Sequence, residues 1–452
     1  MKRFITQKLK DWLASEYRKP VVLRGARQVG KTWLIRDLAM QTGKKIIELN
    51  FERQRNLAVH FESNDPKTIL LNLESALNQS IDIEQSILFL DEIQAAPDLF
   101  AKLRWFYEEM PELAVVAAGS LLEFVLDDHT FSMPVGRIQY IFVEPLGFEE
   151  FVLAKNETHL LTAIEKFSFD KPFNVSLHDK ASQLFKEYIT VGGMPEAVAT
   201  WIKTSSLEAV SVVHNNLINT YQDDFSKYAG KMVVTHLEQV LHAVPKLLTK
   251  KFVFSHVDPA ARNASIKQAT SLLLKARLCH IVQGVYANGI PLGAEVNSKL
   301  FKIILIDVGL VSTMLGLKLH QFQSIDEILL VNQGAIAEQV VGQLLRLTVP
   351  FYVEPQLYYW SREQPGASAE IDYIIQDHNR LIPIEVKAGS EGKLRSLHQF
   401  MSEKSCKLAV RFYAGLSQKS QIKLKTTSGH DVDYQLISLP FYLINQVHRL
   451  SE

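Results

Sequence analysis

One loop of eight residues limits the fold of this chain more than any other stretch of its sequence. The loop reads GARQVGKT, runs from Gly25 to Thr32, and matches the pattern G-x-x-x-x-G-K-[ST] in full. A short apolar run, Pro20 to Leu23, precedes it, and a helical pattern of apolar residues follows it. A strand, a glycine-rich loop and a helix in this order form the context in which such a loop binds phosphate. The sequence therefore predicts a P-loop.

The residue types of the loop explain the chemistry expected of it. Backbone N–H groups of the loop and of the helix start bind phosphate oxygens. Gly25 and Gly30 allow a close approach of the backbone that a side chain would prevent. Lys31 is expected to contact the β- and γ-phosphates, and Thr32 to offer its hydroxyl group to Mg²⁺. ATP and Mg²⁺ are the predicted ligands, and the predicted nucleotide-binding residues are Gly25, Ala26, Arg27, Gln28, Val29, Gly30, Lys31 and Thr32.

A second segment carries the acids that a nucleotide site needs. After Ser86, the four large apolar residues from Ile87 to Leu90 predict a buried parallel strand, and Asp91 and Glu92 follow it directly. Asp91 is predicted to hold Mg²⁺, and Glu92 to polarise the water that attacks the γ-phosphate. The alternative is a pair of acids that begins a helix near Pro97. The P-loop upstream favours the functional interpretation.

Further apolar runs complete a predicted α/β domain. Three more strands are predicted at Lys45–Asn50, Leu113–Ala118 and Ile138–Val143. Together with the two strands above, they predict a five-stranded, doubly wound parallel sheet with ligands at its carboxyl edge. Ser120 follows one strand and could sense the γ-phosphate or cap the next helix. Arg137 is a candidate for charge stabilisation, in cis or from a neighbouring subunit, or else a surface arginine.

Five motifs occur in the order and at the spacing of a known family, namely GARQVGKT, ILFLDEIQ, AAGSLLEF, PVGRI and VEPLGFEEF. Three further stretches also resemble that family: YITVGGMPEAV, FKIILIDVGL and AEIDYIIQDHNRLIPIEVKAG. With them, the chain resembles a family of predicted prokaryotic ATPases of the AAA+ class. Members of that family carry a C-terminal domain of unknown function that resembles restriction-endonuclease folds. The resemblance extends over nearly the whole chain and implies ATP binding and hydrolysis, without naming a biological process.

The middle of the chain, from about Glu150 to Val331, is mostly helical by pattern. Within it, a helix predicted at 266–276, capped by Ser265, precedes two strands predicted at 280–286 and 300–306. A helix followed by a hairpin is the outline of a winged helix, whose polar helix face would contact DNA. The alternative is a purely structural module with a solvated helix face.

Alternating charges in the C-terminal third predict a second site. In AEIDYII, Glu370 and Asp372 share one strand face, and in IPIEVK, Glu385 and Lys387 share a face of the next strand. Asp372, Glu385 and Lys387 match the D…(D/E)-x-K pattern of PD-(D/E)XK nucleases, although Ile371 stands where the usual proline would. Carboxylates that bind Mg²⁺ and a lysine beside them suit phosphodiester hydrolysis.

Glu338, on an amphipathic helix upstream, resembles an extra carboxylate of many such folds. The predicted metal ligands here are therefore Glu338, Asp372 and Glu385. Two alternatives stay open: a solvated strand face with paired charges, and a nuclease-like fold that does not cleave. A basic stretch between Glu391 and Lys425 would neutralise DNA phosphates or is an ordinary surface.

Length and composition set the remaining limits. The length of 452 residues suggests two to three domains. With the motifs and the resemblance above, the predicted parts are an ATPase domain at 1–155, a helical and winged-helix connector at 156–330 and a restriction-endonuclease-like α/β domain at 331–452. Two distant cysteines exclude a disulfide framework and favour the cytoplasm. No stretch has the roughly 18 unbroken apolar residues of a membrane span. The formal net charge is zero, so it predicts no polyanionic partner by itself.

The expected partners are ATP and DNA, and a homo-oligomer is possible. The leading hypothesis is an ATPase coupled to a nuclease-like domain that acts on DNA. Its alternatives are an ATP-dependent DNA-binding regulator and a signalling ATPase, each with a nuclease-like domain that does not cleave.

Overall fold

The computed structural model of the chain describes residues 1–120, 122–127, 134–228, 230–317, 334–362, 368–389, 394–426 and 429–452. Contacts within the chain divide it into two compact units. The first unit contains Met1–Pro145, Lys275–Arg277 and Pro350–Glu354, and the second contains Leu146–Leu274, Leu278–Val349 and Pro355–Glu452. Each unit is described by itself.

The first unit is a parallel sheet with helices between its strands. Its elements are α1 (Phe4–Leu13), β1 (Val21–Arg24), α2 (Lys31–Thr42), β2 (Lys45–Asn50), α3 (Pro66–Leu77), β3 (Ser86–Asp91), α4 (Leu99–Glu109), β4 (Ala114–Ala118), α5 (Leu122–Asp127) and β5 (Gln139–Phe142). The strand order is β2-β3-β4-β1-β5, and every neighbouring pair is parallel. This confirms the predicted five-stranded parallel sheet.

The central strands of this sheet are buried along their whole length. Every residue of β3 and β4 is buried, as expected for parallel strands covered on both faces. Aromatic side chains fill the core beside them, for example Phe51 and Phe61, whose rings meet edge to face at 6.0 Å. The packed sheet fixes the positions of the loops at its carboxyl edge.

The second unit begins with helices and ends with a mixed sheet. Its helices before the sheet are α6 (Phe148–Ala154), α7 (Thr158–Glu165), α8 (Val175–Val191), α9 (Pro195–Thr204), α10 (Leu207–Tyr228), α11 (Lys231–Ala243) and α12 (Asn263–Lys275). The remaining elements are β6 (Cys279–Val285), β7 (Val296–Leu305), α13 (Val308–Met314), α14 (Ala335–Leu345), β8 (Leu357–Arg362), β9 (Ala369–Asp377), β10 (Arg380–Val386), α15 (Arg395–Lys404), β11 (Leu408–Tyr413), β12 (Gln418–Lys425), β13 (Asp431–Pro440) and α16 (Val447–Ser451).

The eight strands of the second unit form one sheet, and this differs from the predicted winged helix. The strand order is β12-β13-β11-β10-β9-β8-β6-β7. The hairpin of β6 and β7, which was expected to be a wing, pairs through β6 with β8 in parallel, with Val282 opposite Leu357. The helix before it begins at Asn263, ahead of the predicted cap Ser265. The hairpin is therefore an edge of the C-terminal sheet, and the winged-helix prediction is not confirmed.

The predicted domain limits also differ from the two compact units. The N-terminal stretch of the first unit ends at Pro145, and α6 already belongs to the second unit, whereas the sequence suggested a limit at 155. The predicted limit at 330/331 lies outside the described residues. Because the β6–β7 hairpin shares a sheet with β8 to β13, the residues before and after that limit form one sheet.

One buried carboxylate joins several elements of the second unit. Asp307, between β7 and α13, is 0% exposed. Its Oδ1 accepts hydrogen bonds from the N–H groups of Gly309 (2.9 Å) and Leu310 (3.2 Å), which caps α13. Its Oδ2 accepts from the N–H group of Gly193 (2.6 Å) and from Nε2 of Gln343 (3.1 Å). Both oxygens therefore face only donors, from α13, α14 and the turn between α8 and α9.

The turn between α8 and α9 is shaped to approach this carboxylate. A β-carbon at Gly192 would lie 2.1 Å from Asp307 Oδ1, and Gly192 has a φ of +74°. A side chain at this position would therefore meet both a steric clash and an unfavourable backbone conformation. Gly192 and Gly193, which follow α8, therefore bring the end of that helix against Asp307.

We expect Asp307→Asn to destabilise the second unit. An amide group would turn one acceptor oxygen into a donor that faces two donors, so buried polar groups would lose their partners, at about 1–3 kcal/mol. Urea unfolding followed by circular dichroism measures the loss. Asp65→Asn is the matched control, because Asp65 caps α3 in the same way but is exposed, and it should change stability by less than about 0.5 kcal/mol. Equal effects of the two substitutions would contradict this account.

Candidate functional site

The P-loop connects β1 to α2 and depends on two glycines. Gly30 precedes α2 with a φ of 92°, in the left-handed region that favours glycine. A β-carbon at Gly25 would lie 2.3 Å from the carbonyl oxygen of Val143. The loop therefore passes so close to the chain after β5 that no side chain fits at Gly25.

Lys31 is a buried cation whose hydrogen bonds go to the loop itself. It is 7% exposed, and its Nζ donates to the carbonyl oxygens of Gly25 (2.9 Å) and Ala26 (2.8 Å). Burial lowers the pKa of Lys31 to about 8, although the acids Glu92, Glu123 and Asp91 oppose the shift. A buried ammonium group bonded only to neutral carbonyl groups is a favourable partner for an anion.

Asp91 lies at the carboxyl end of β3, beside the P-loop threonine. The hydroxyl group of Thr32 donates to its carboxylate, with Oγ1 at 3.2 Å from Oδ2 and 3.3 Å from Oδ1. Nδ2 of Asn50 donates to Oδ2 at 3.2 Å. Burial raises the pKa of Asp91 to about 6, and the neighbouring Glu92 adds to the shift. The structure thus brings the two predicted Mg²⁺ ligands of this unit together.

Asn50 is a site residue that the sequence analysis missed. It ends β2 and lies directly opposite Asp91 in the register of the parallel pair β2–β3. The one indication in the sequence was its position as the last residue of a predicted strand, where site residues are expected. Without the strand order, however, the sequence does not show that β2 borders β3.

Glu92 and Ser120 also come together, and a third residue, Gln94, bonds to the same carboxylate oxygen. Oε2 of Glu92 accepts a hydrogen bond from Nε2 of Gln94 at 2.5 Å and from Oγ of Ser120 at 3.4 Å. Glu92 itself has a φ of 50°, which is uncommon for a residue other than glycine. Gln94 had no predicted role, since it only follows the acid pair in the sequence.

A buried ion pair lies next to this group. Glu123 of α5 accepts hydrogen bonds from Nε of Arg24, at 3.0 Å, and from Nε of Arg277. The Arg277 guanidinium group also donates to Glu354 at 2.5 Å and lies 4.9 Å from the centre of the Phe142 ring. Arg277 is distant in sequence from the other residues of the first unit, so no local pattern identifies it.

Arg137 is bonded to an acid of α4 and to a nearby carbonyl group. Its Nε donates to Oε1 of Glu108 at 2.9 Å, and its Nη1 donates to the carbonyl oxygen of Val135 at 3.3 Å. These are its hydrogen bonds among the described residues. A role of Arg137 in charge stabilisation stays a prediction.

The C-terminal carboxylates lie on the predicted hairpin. Strands β9 and β10 are antiparallel, with Ile374 opposite Pro383. Oδ2 of Asp372 accepts a hydrogen bond from the N–H group of Val386 at 2.7 Å. Oε1 of Glu385 accepts from Nζ of Lys387 at 2.5 Å, whereas Oε2 of Glu385 is buried and has no hydrogen-bond partner among the described residues.

Lys302 joins this cluster from β7 and was not predicted. It is 3% exposed, and its Nζ donates to Glu370 at 2.5 Å and to Glu338 at 3.4 Å. Burial alone would lower the pKa of Lys302, but Glu338, Glu370 and Asp372 outweigh burial, so the pKa is raised. Lys302 lies on the β6–β7 hairpin, which was predicted to be the wing of a winged helix. For this reason the sequence analysis did not place it beside the acids.

The acids of the cluster are strongly influenced by burial and by each other. Burial, followed by the charge of Asp372, raises the pKa of Glu338 and of Glu385 to about 8 each. In the described part of the chain, no three acidic, histidine or cysteine side chains are arranged to hold a metal ion. Lys302 is bonded to Glu338, and a role of Glu338, Asp372 and Glu385 as metal ligands stays a prediction.

The predicted basic surface is partly neutralised. On β12 and β13, Lys423 pairs with Asp433 at 3.4 Å and Lys425 with Asp431 at 3.9 Å. Lys393, which the stretch also included, lies outside the described residues. The net positive charge on these two strands is therefore smaller than the number of lysines in the stretch suggests.

Comparison with known families agrees with the fold of the first unit. Residues 17–152 match a family described as an AAA domain. Residues 182–321 match a domain of unknown function, DUF8612, and residues 333–430 match another, DUF4143. The N-terminal part is therefore an AAA-class P-loop domain, which confirms that part of the prediction. A search of curated proteins found no match.

Solved structures of similar fold align only loosely. The Walker-type ATPase PABY2304 of Pyrococcus abyssi is 14% identical and covers 68% of this chain and 94% of its own, with a TM-score of 0.42. The ORC1 protein of Aeropyrum pernix in complex with DNA is 13% identical and covers 68% and 90%, with a TM-score of 0.29. AMPPCP-bound DnaA of Aquifex aeolicus is 14% identical and covers 60% and 86%, with a TM-score of 0.27. None aligns closely enough to support an argument about function.

Among the described residues, no helix is both long enough and apolar enough to span a membrane.

The raised pKa values make the stability of the second unit depend on pH. The carboxyl group of Glu385 binds its proton more tightly in the folded chain, where the pKa is about 8, than at its ordinary value of 4.5. Its contribution to stability is therefore fully present below pH 4.5 and is lost as the pH rises towards 8. We expect the thermal midpoint of the unit to fall over this interval.

Glu385→Gln cannot ionise and should flatten this dependence. Glu208→Gln, which changes an exposed acid of α10, is the control and should leave it unchanged. Differential scanning calorimetry across the pH range measures both variants. An equal slope in wild type and Glu385→Gln would show that the group does not titrate as described.

Proposed function

We propose that the first unit binds ATP and hydrolyses it. The observation that carries the proposal is the meeting of Thr32 with Asp91, within 3.3 Å, beside the buried ammonium group of Lys31. A cation for the phosphates and a hydroxyl–carboxylate pair for a metal ion are what a P-loop ATPase requires. The family match of residues 17–152 supports the same function.

Each residue of the group has a role in this proposal. Loop N–H groups bind phosphate oxygens, and Lys31 exchanges its loop carbonyls for the β- and γ-phosphates. Thr32 and Asp91 would hold Mg²⁺, and they fit it, because both offer the hard oxygen ligands that it prefers. The ion would neutralise phosphate charge. Glu92 acts as the base that orients the attacking water, and Ser120 lies beside it.

Substitutions in this group test the proposal. We expect Lys31→Ala to abolish ATP binding, and Glu92→Gln to keep binding but lower kcat at least about 100-fold, because a general base is lost. Fluorescent-nucleotide titration and phosphate release measure binding and turnover. Lys67→Ala and Glu109→Gln replace an exposed lysine and an exposed acid of the same unit and should have neither effect. Wild-type turnover that persists in Lys31→Ala, or a kcat of Glu92→Gln equal to that of wild type, would contradict the roles assigned to these residues.

A second candidate function belongs to the C-terminal cluster. We propose that it handles the phosphodiester backbone of DNA, coupled to the ATPase. The unpartnered Oε2 of Glu385, buried beside Lys387 and Asp372, favours it. Four acids, Glu338, Glu370, Asp372 and Glu385, also outnumber the two lysines 302 and 387. The match of 333–430 to a domain of unknown function is neutral on this point. A cytoplasmic location and a homo-oligomer remain predictions.

Nicking of supercoiled DNA in Mg²⁺ tests this second function. We expect cleavage to need the divalent ion and to be lost in Lys387→Ala, because the lysine would stabilise charge at the phosphate. Lys246→Ala, an exposed lysine of the same unit, is the control. DNA binding that weakens steeply with salt, without cleavage, would favour an ATP-dependent regulator. If the protein neither binds nor cleaves DNA, the remaining interpretation is a signalling ATPase.

A further inference from the structure

Two carboxylates at the carboxyl edge of the first sheet have different polar partners. Asp91 accepts hydrogen bonds from Thr32 and Asn50. Glu92 accepts from Gln94 and Ser120, and both donate to the same oxygen, Oε2. The two acids are thus held separately, each by two neutral donors. Gln94 belongs to a short 3₁₀ turn, Ile93–Ala95, that directly follows Glu92.

The side-chain amide of Gln94 uses its nitrogen to bond Glu92, while its carbonyl oxygen has no partner among the described residues. Oε1 of Gln94 is buried and has no hydrogen-bond partner among the described residues. Gly119 makes room for this oxygen, since a β-carbon there would lie 2.1 Å from it. A buried acceptor without a donor is rare in folded proteins and lowers stability.

Two local features of this turn therefore act against stability. One is the unpartnered Oε1 of Gln94, and the other is the left-handed backbone of Glu92, with a φ of 50°. Both features accompany the same hydrogen bond, in which Nε2 of Gln94 lies 2.5 Å from Oε2 of Glu92. An apolar side chain of similar size at position 94 would avoid the unpartnered oxygen, so packing alone does not explain a glutamine here.

We propose that Gln94 is a positioning residue for ATP hydrolysis and acts by orienting Glu92. This inference rests on the proposed ATPase function. By binding Oε2, Gln94 and Ser120 turn the other carboxylate oxygen, Oε1, towards the attacking water. The water oxygen then forms a bond to the γ-phosphorus, and the bond from that phosphorus to the bridging oxygen breaks, with its electron pair leaving on ADP. The water proton passes to Glu92 and from there to the released phosphate.

The decisive variant is Gln94→Met, which keeps the length of the side chain and removes both polar atoms. We expect kcat to fall about 10- to 100-fold, within the range of a misplaced general base, while the Kd of a non-hydrolysable ATP analogue changes less than twofold. The melting temperature should stay the same or rise, because the unpartnered oxygen is gone. Gln94→Glu, of the same shape but without the donor, should lose at least as much kcat.

Gln41→Met is the matched control. Its Nε2 donates to Oδ2 of Asp37 at 2.6 Å, so it removes the same kind of amide–carboxylate bond from an exposed side chain of α2. We expect its kcat to equal that of wild type. A fall of kcat in Gln41→Met as large as in Gln94→Met would overturn the proposal.

The outcomes separate this inference from the function on which it rests. If wild type hydrolyses no ATP, the proposed function itself fails. If wild type hydrolyses ATP but Glu92→Gln keeps full activity, Glu92 is not the base, and the inference fails while the ATPase function stands. If Glu92→Gln is inactive but Gln94→Met keeps kcat within twofold of wild type, only the inference fails. If Gln94→Met loses analogue binding or melts at a clearly lower temperature, its role is structural, and the inference fails as well.

Discussion

The parallel arrangement of five strands is the constraint on which the first site depends. Parallel strands present their carboxyl ends at one edge, so residues that follow different strands meet there. Asn50 ends β2, Asp91 ends β3, and Ser120 follows β4, while the P-loop follows β1. The strand order places β3 between β2 and β4, and this lets the acid pair receive polar partners from both sides. No single segment of the chain contains this site.

Lys31 in the first unit and Lys302 in the second are both buried, but their hydrogen-bond partners differ in charge. Among the described residues, Lys31 donates to carbonyl groups only, and burial lowers its pKa to about 8. Lys302 donates to Glu338 and Glu370, and these charges raise its pKa despite burial. An ammonium group without a bonded anion is suited to bind a charged ligand, whereas one already paired stabilises its neighbours. Lys31 is thus available to phosphate, and Lys302 holds acids in place.

The sequence predicts those parts of the structure that are encoded locally. The P-loop lies between a strand and a helix, and the hairpin of β9 and β10 lies within one short stretch, so both were found. Asn50 and Gln94 were missed because their partners depend on strand order and on a turn conformation. The β6–β7 hairpin was interpreted as a wing because a local pattern of helix and hairpin does not show that β6 pairs with β8, which is distant in sequence.

The pairing of β6 with β8 also changes the interpretation of the C-terminal acids, because it brings β7 and Lys302 into the same sheet. Lys302, brought in by β7, binds Glu370 and Glu338, so these two acids already have a cation. Asp372 and Glu385 each have one oxygen engaged, by the Val386 N–H group and by Lys387. In the described residues this leaves Oε2 of Glu385 buried and unpartnered. The four acids therefore divide into two groups: Glu338 and Glu370 are paired with Lys302, whereas Asp372 and Glu385 are the two acids on which the proposed second function depends.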